Sequence, residues 1–311
     1  MELSHLRYFI AVAEEGSFFN AAERRLHTSQ PSLSRQIRDL ELEVGAKLLE
    51  RKVRGVGLTP AGQVFLDHAR LVVMQVEAAA EAARRSEQPE RQEFFIGFLA
   101  GEEVVWLSDA LRILREEAPG IDITISSLSS PELAKALMQG RMDVALLRRE
   151  TQAPSLAFKF LAKEPLVVIL PANHRLAASK KISPKELARE SFIAGSTRLA
   201  PVLKATVKDY AERAGVTLNQ KYDAENVSGG MSLIASTQSV TLLPAYVTNM
   251  LTPSVVARPL TGAPPTIDLM MGWNKSNTSP VLKRFLSRSD EMVAAVQKRH
   301  SKDLVGVVAL S

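Results

Sequence analysis

No cysteine occurs among the 311 residues, which excludes thiol catalysis, disulfides and cysteine-held zinc together and suits a reducing compartment. The five histidines, His5, His27, His68, His174 and His300, stand far apart without HExxH or His-x-His spacing, so no metal is expected. No apolar run approaches the roughly 18 residues of a membrane span. The start, "MELSHLRYFIAVAEEGSFF", lacks a basic stretch followed by an apolar core and a cleavage site, so a cytoplasmic protein with no membrane partner is expected. Signatures of catalysis are missing too: no Gly-x-Gly-x-x-Gly after a strand, no P-loop, no GxSxG, and no acid pair singled out by spacing. The chain is therefore read as a non-enzyme without a cofactor.

What is present is ordinary globular composition, 46% hydrophobic and 23% charged, with room for roughly two or three domains. A net charge of +5 allows an anionic partner but does not locate one, since residues 1–60 hold nine Lys/Arg against eight Asp/Glu.

Leu3, Leu6, Ile10 and Ala13 repeat at helical spacing up to Gly16, and Ser17 can cap a second helix, "FFNAAERRL". In "HTSQPSLSRQIRDLE", Thr28 and Ser29 are cap-type residues, and Pro31 falls in a first turn, where its missing N–H has no intrahelical partner to lose. Leu33, Ile37, Leu40 and Val44 then form an apolar stripe, with Pro31, Arg35 and Arg38 on the opposite side and Gln30 and Ser32 flanking them. Two short helices, a tight turn and a third helix with an exposed amide, hydroxyls and guanidinium read as a helix-turn-helix. Its helix end suits phosphate, and Gln and Arg suit base edges in the major groove; a merely solvated face would carry the same pattern.

"KLLERKVRGVGLTPAG" comes next, with a basic bend at Arg51, Lys52, Arg54 and Gly55 that reads as a two-stranded wing. Thr59 and Pro60 open a helix running to about Glu87, roughly 40 Å long at about 1.5 Å per residue. Its stripe, Phe65, Ala69, Val72, Val76, Ala79 and Ala83, has coiled-coil spacing. A second subunit is the expected partner for it, and packing on the C-terminal domain is the alternative. Beyond it, strands and helices alternate: "EFFIGF", "VVWLSDALRILREEAPG", "IDITIS", "PELAKALMQGR" and "DVALLR". A second series runs from "PLVVIL" through helices near 183–189 and 200–214 to "VTLLP"; "IDLMMGW" and a last helix, 279–298, close the domain, and the tail is expected to fray after Lys302. This alternation predicts a parallel α/β sheet. Ligands of such sheets sit beyond the strands' carboxyl ends, here at Ala100–Gly101, Ser129–Ser130 and Arg148, where amides, hydroxyls and a guanidinium suit a carboxylate. Plain helix capping by the serines is the simpler reading.

The segment "MELSHLRYFIAVAEEGSFFNAAERRLHTSQPSLSRQIRDLELEVGAKLLER" with "LTPAG" resembles the LysR-type transcriptional regulators, and the resemblance extends over residues 1 to about 298. "IGFLAGEE", "EPLVVILPANHRLA" and "VARPLTGAPPTIDLMMGW" are similar to the regulators of aromatic-acid breakdown, of the phenylpropionate/cinnamate and benzoate/muconate types. The resemblance implies an α/β protein with a winged helix-turn-helix DNA-binding domain at 1–59 and a linker, or dimerisation, helix at 60–88. It further implies a periplasmic-binding-protein-like effector domain at 89–298, with subdomain I about 91–162 and 267–298, subdomain II about 163–266, and a tail at 299–311.

Implied partners are double-stranded promoter DNA, a small effector (an organic acid) and further copies of the chain, as a homodimer and in this family usually a homotetramer; RNA polymerase is a further candidate. On DNA, Gln30, Ser32 and Arg35 would read bases while Ser29, Arg51 and Arg54 hold phosphates, with Thr28, Pro31 and Arg38 beside them. In the effector cleft, Ala100, Gly101, Ser129, Ser130 and Arg148 would form one wall, and the loop from Thr197 to Pro201 the other. Effector binding would change the angle between subunits through a hinge near 86–91. Three features depart from the family pattern. Arg24 and Arg25 stand where one basic residue is common, and Thr237 and Ser239 replace a Gly-x-Gly, where a Cβ is expected to fill space or add a polar contact in the cleft. Glu102 and Glu103, beside the anion site, are expected to face solvent.

Overall fold

The computed structural model describes residues 1–52, 55–86, 93–150 and 153–308. The chain divides into two compact units, Met1–Glu87 and Gln88–Ser311.

The first unit opens with α1 (Leu3–Glu15), which buries Leu6, Phe9, Ile10 and Val12 and stops where Gly16 turns left-handed. Ser17 caps the short α2 (Phe18–Asn20), its hydroxyl accepting the Asn20 amide at 3.3 Å. The helix continues not as α but as a π turn, Ala21–Leu26, with Ala21 and Ala22 fully buried. Ser29 caps α3 (Gln30–Val44), accepting the Ser32 amide at 3.3 Å, with Pro31 in the first turn and Leu33, Ile37 and Leu40 in the core. The expected proline-initiated helix and its stripe are thus in place.

Two residues fasten α3 to the wing and to the long helix behind it. Glu41, almost wholly buried, accepts from the amides of Leu48 (2.9 Å) and Leu49 (3.1 Å) and from Lys47 Nζ (2.7 Å). Burial by itself would raise its carboxyl; these donors outweigh that and hold it below the usual range. The wing, β1 (Leu49–Arg51) antiparallel to β2 (Val56–Leu58), leads to Thr59, which accepts the Gly62 amide at 2.9 Å and donates to the Lys47 carbonyl at 2.7 Å. Gly62 touches the Leu48 carbonyl so closely that a Cβ would lie 1.9 Å from its oxygen. Thr59 and Gly62 are the chemistry behind "LTPAG".

α4 (Pro60–Ser86) does not use its stripe as one seam. Phe65 meets Phe9 edge to face at 5.2 Å, and Ala69 is buried in the unit's own core. Val72, Val76, Ala79 and Ala83 are exposed. The expected intersubunit stripe is therefore split, because its first turns complete the helix-turn-helix core.

The second unit is built on a sheet ordered β10-β6-β11-β5-β3-β4, with β9 also paired to β6. In chain order it contains β3 (Glu93–Leu99), α5 (Glu103–Glu117), β4 (Asp122–Leu128), α6 (Ser130–Met138), β5 (Val144–Leu147) and β6 (Leu156–Pro171). Next come α7 (Pro184–Leu187), β7 (Ser191–Gly195), α8 (Pro201–Arg213), β8 (Asn219–Ala224), α9 (Val227–Thr237), β9 (Thr241–Pro244), β10 (Val255–Arg258) and β11 (Thr266–Asn274). Helices α10 (Pro280–Ser287) and α11 (Ser289–Val308) complete the unit.

The sheet is mixed, which corrects the parallel expectation: β5, β3 and β4 are parallel, β11 runs antiparallel between β5 and β6, and β9 and β10 run antiparallel to β6. β6 is one long strand that pairs with β11 up to Pro165 and with β9 and β10 from Leu166 on. It thereby serves two hydrophobic cores, one under α5, α10 and α11 and a smaller one around α7, β7 and α8. The last helix also differs from expectation: it breaks at Arg288 and continues to Val308, where fraying after Lys302 was expected. Arg54, the hinge residues 87–91 and the final three residues lie outside the described residues.

The Gly62 contact yields a direct test. A methyl at position 62 must displace the Leu48 backbone, so Gly62→Ala should destabilise the first unit by about 1–3 kcal/mol. Calorimetry of the full chain should show one transition moving while that of the second unit stays; equal movement of both would rule out a local cause.

Candidate functional site

The first candidate surface is the outer face of α3. Ser29, Gln30, Pro31, Ser32, Arg35 and Arg38 are all exposed, Thr28 is half-buried, and Arg51 is exposed on the wing. The Arg35 side chain is 82% exposed, with the Asp39 carboxylate 4.0 Å away. The start of α3 offers fewer free amides than a helix end usually does. Pro31 has none, Ser29 Oγ takes that of Ser32, and the Ala22 carbonyl takes that of Thr28. Ser29 retains its O–H for donation. Hydroxyl, amide and guanidinium side chains share this exposed face.

Nothing in the spacing of the residues signals how Arg25 is used. Its guanidinium pairs with Glu14 at 2.6 Å, and Arg70 of α4 pairs with the same carboxylate at 2.7 Å. Burial works to raise the Glu14 carboxyl, but the two arginines prevail and hold it below the ordinary value.

The second candidate site is a cavity of about 320 Å³ inside the second unit, bounded by β3, β4, α6 and β5 on one side and by β7, α8, β8 and β9 on the other. Ala100, Ser129, Ser130, Arg148 and Pro201 line it. Gly101 and Thr197 are not among its lining residues. Gly101 has φ +96° and its Cα faces the turn after β9, where a Cβ would lie 2.6 Å from Met250 Sδ and 2.8 Å from Tyr246. The Thr197 hydroxyl accepts from Lys204 Nζ at 2.8 Å. Ser129 caps α6 and hydrogen-bonds Glu132 at 2.6 Å, while Ser130 Oγ accepts the Arg148 amide at 2.9 Å. Both serines are therefore committed to holding the wall.

The left-handed turn at Gly101 has a second consequence. It swings Glu102 inward to the N-cap of α5, where it is fully buried, against the expectation that it faces solvent. Glu103 is also engaged, accepting the Gly101 amide at 2.8 Å and the Ser127 hydroxyl at 3.2 Å. Arg148 Nη2 donates to Glu102 Oε1 at 2.9 Å and to Glu164 Oε2, on β6, at 2.5 Å. Trp106 Nε1 donates to the other Glu102 oxygen at 3.2 Å.

Burial, reinforced by the nearby Glu164 charge, pushes the Glu102 carboxyl well above the ordinary range despite Arg148. The Arg148 guanidinium lies 5.9 Å from the centre of the Tyr246 ring, whose hydroxyl donates to the Ala100 carbonyl at 3.0 Å. Burial likewise pushes that phenol upward. Glu102, Glu164 and Tyr246 were missed because nothing in their spacing signals them; they come together only through the Gly101 turn, mid-β6 and the turn after β9. Thr237 and Ser239 do not enter the cleft either. They hydrogen-bond each other at 2.8 Å and Thr237 also bonds the Leu233 carbonyl, closing the end of α9.

A winged helix-turn-helix whose third helix exposes Gln30, Ser32, Arg35 and Arg38, and an α/β unit with a cleft between two cores, define a ligand-binding transcription regulator. Residues 3–63 match the family "Bacterial regulatory helix-turn-helix protein, lysR family", and residues 87–294 match the "LysR substrate binding domain". The chain belongs to the LysR family of DNA-binding transcriptional regulators and is not an enzyme. It is 40% identical to the Hca operon transcriptional activator HcaR of Escherichia coli strain K12, covering 95% of this chain and 99% of that one. It is 32% identical to the HTH-type transcriptional regulator AlsR of Bacillus subtilis strain 168, covering 93% and 96%. Among solved structures it is similar to full-length CbnR complexed with its target DNA, at 25% identity and a TM-score of 0.55, covering 94% of this chain and all of that one. Among the described residues no helix is long and apolar enough to cross a membrane, and no cluster of metal-ligating side chains occurs.

The buried triad sets opposite outcomes for its members. Arg148→Ala leaves the Glu164 carboxylate without its cation and the buried Glu102 carboxyl without its donor, and should cost about 3–5 kcal/mol. Glu102→Gln, which preserves the shape of the protonated acid, should cost under about 1 kcal/mol. A carboxyl raised on folding releases its proton first in the unfolded chain, so it erodes stability as pH rises above about 4.3, the ordinary glutamate value. The stability of Glu102→Gln relative to the parent should therefore improve with rising pH in urea titrations. A difference independent of pH would show that Glu102 is ionised in the fold.

Proposed function

We propose that the chain is an effector-responsive regulator that grips promoter DNA as a dimer through α3 and the wing, and that its cleft holds a small aromatic or carboxylated effector. The observation that carries the DNA half is the face of α3: Gln30, Ser32 and Arg35 are exposed together opposite a buried stripe. In this reading they contact base edges, while Ser29, Arg51 and Arg54 hold phosphates and Thr28, Pro31 and Arg38 flank them. The exposed half of the α4 stripe, Val72 to Ala83, supports a paired linker helix; tetramers of such dimers, a hinge near 86–91 and contact with RNA polymerase belong to the same reading.

The cleft half rests on a guanidinium at the floor of a largely apolar cavity between two cores, with Ala100, Ser129, Ser130 and Pro201 in its walls. Gly101 and Thr197 act behind those walls. The boundaries 1–59, 60–88 and 89–298 follow from this division of labour, and the work is done in the cytoplasm.

Arg35→Ala should weaken binding to the cognate promoter by about 1–3 kcal/mol while leaving binding to random duplex nearly unchanged. Arg51→Ala should weaken both and lower the salt slope by roughly one unit. Fluorescence anisotropy on cognate and scrambled duplexes checks this, and equal losses for Arg35→Ala on the two would refute base reading. Val76→Asp should shift the full chain toward monomer in sedimentation and reduce promoter affinity at least tenfold; an unchanged sedimentation coefficient would remove α4 from the interface.

A further inference from the structure

A second cavity, of about 340 Å³, lies beside the smaller core of the second unit, between α8 and the strands β7, β8 and β9. Packing under α8 is incomplete there. The small residues Ala194, Gly195 and Ala211 line the gap, and β8 is exposed from Asn219 to Asp223. The lining follows α8 from Leu203 to Glu212, a length of about 13 Å at about 1.5 Å per residue. Along it the walls are mostly aliphatic, with Ile193, Leu203, Val207 and Leu242 facing the space. An apolar chain suits this slot.

The charges around the slot are unevenly placed. Its ionisable lining residues are Lys204, Lys208 and Glu212, one turn apart on α8, so the cations occupy one end and the carboxylate the other. Glu212 lies 3.7 Å from Lys208 and is its countercharge. Among the described residues no carboxylate pairs with Lys204, which is half-buried and donates to the Thr197 hydroxyl at 2.8 Å. A hydroxyl satisfies one of the three N–H groups of an ammonium and none of its charge. The other polar groups of the lining are occupied or remote from the lysines: the Thr241 hydroxyl donates to the Ile193 carbonyl at 2.7 Å and Gln220 Nε2 to Asp223 at 2.9 Å.

We infer that this slot is a second ligand site, separate from the proposed effector cleft, and that it takes an aliphatic monocarboxylate, its carboxylate on Lys204 and Lys208 and its chain along Val207 and Ala211. A neutral head leaves the Lys204 charge unmatched, an ammonium meets two cations, and a dicarboxylate brings its second anion to Glu212. Thr197 opens the loop whose Leu199, Ala200 and Pro201 wall the effector cleft. A carboxylate that draws Lys204 away from Thr197 therefore loosens that loop.

Calorimetric titration of the full-length protein with octanoate, butyrate, octan-1-ol, octylammonium and suberate tests the site. Octanoate should bind most tightly, at least about tenfold ahead of the alcohol and of butyrate. Lys208 and Ala211 line this slot and not the effector cleft, so variants there report where the ligand sits. Ala211→Leu, which fills the slot, should weaken octanoate at least about tenfold, and Lys204→Met at least about fivefold. Glu212→Gln and Thr197→Val, which release the two lysines from competing partners, should each tighten it by about two- to threefold, a gain that a structural role alone does not supply. Amide exchange of residues 197–200 should speed up at least about twofold with octanoate bound. Equal binding of octan-1-ol, tightest binding by butyrate, suberate or octylammonium, or no binding by any of the five would each overturn the inference. So would loop exchange unchanged by octanoate, or an octanoate affinity that responds to Ala100→Leu in the effector cleft and not to Ala211→Leu.

Discussion

The second unit depends on how one buried arginine is neutralised. Arg148 ends β5, and its side chain gathers a carboxylate from the cap of α5, another from the middle of β6 and the face of Tyr246 from the turn after β9. Its amide is meanwhile held by Ser130 at the start of α6. A guanidinium in an apolar interior is tolerated only when paired and hydrogen-bonded, so elements from both sides of the cleft must converge on it. The cleft's position is a consequence: β6 passes from one core to the other beside Glu164, and Arg148 is among the residues that line the cavity there.

The first unit solves a comparable problem with backbone groups. Amides at the start of the wing need acceptors, and Glu41 supplies them from the last turn of α3, while Thr59 returns a hydroxyl to the Lys47 carbonyl. The reading helix and the wing are therefore joined through their polar groups as well as through Leu48 in the core. That joint fixes the spacing between the exposed face of α3 and Arg51 without using any side chain from that face.

Much of this was legible in the sequence where a period or a cap carried it. Leu33, Ile37 and Leu40 announced the buried face of α3, Ser29 and Pro31 its start, and the alternation from "EFFIGF" to "DVALLR" the parallel core of the sheet. Illegible were features that depend on long-range pairing. β8, "NQKYDA", is exposed along nearly its whole length and has no alternation to read, and β6 runs on through "AKEP" because two different partners hold its two halves. Glu102 comes after a glycine whose φ reverses the chain, so repulsion from an anion site pointed it to solvent whereas the turn delivers it to the core. The stripe of α4 was read correctly as apolar, but which turns face the chain's own core is set by Phe9 and not by spacing.

The pair Arg24–Arg25 shows how such a fold absorbs a length change. One extra residue in an α-helix turns everything after it by about 100° and advances it by about 1.5 Å. Applied to helix two, that would have redirected the turn and the start of α3 together. The π turn Ala21–Leu26 takes up the residue instead: the amide of His27 reaches back to Ala22, Ala21 and Ala22 remain buried, and His27 closes the turn in the left-handed region. The widened turn has poorer helical geometry, and the Arg25–Glu14–Arg70 pairing, which the bulge places within reach, helps offset that cost. Ser29 still caps α3 and Arg35 still faces outward, so the length change ends before the exposed face of α3 begins.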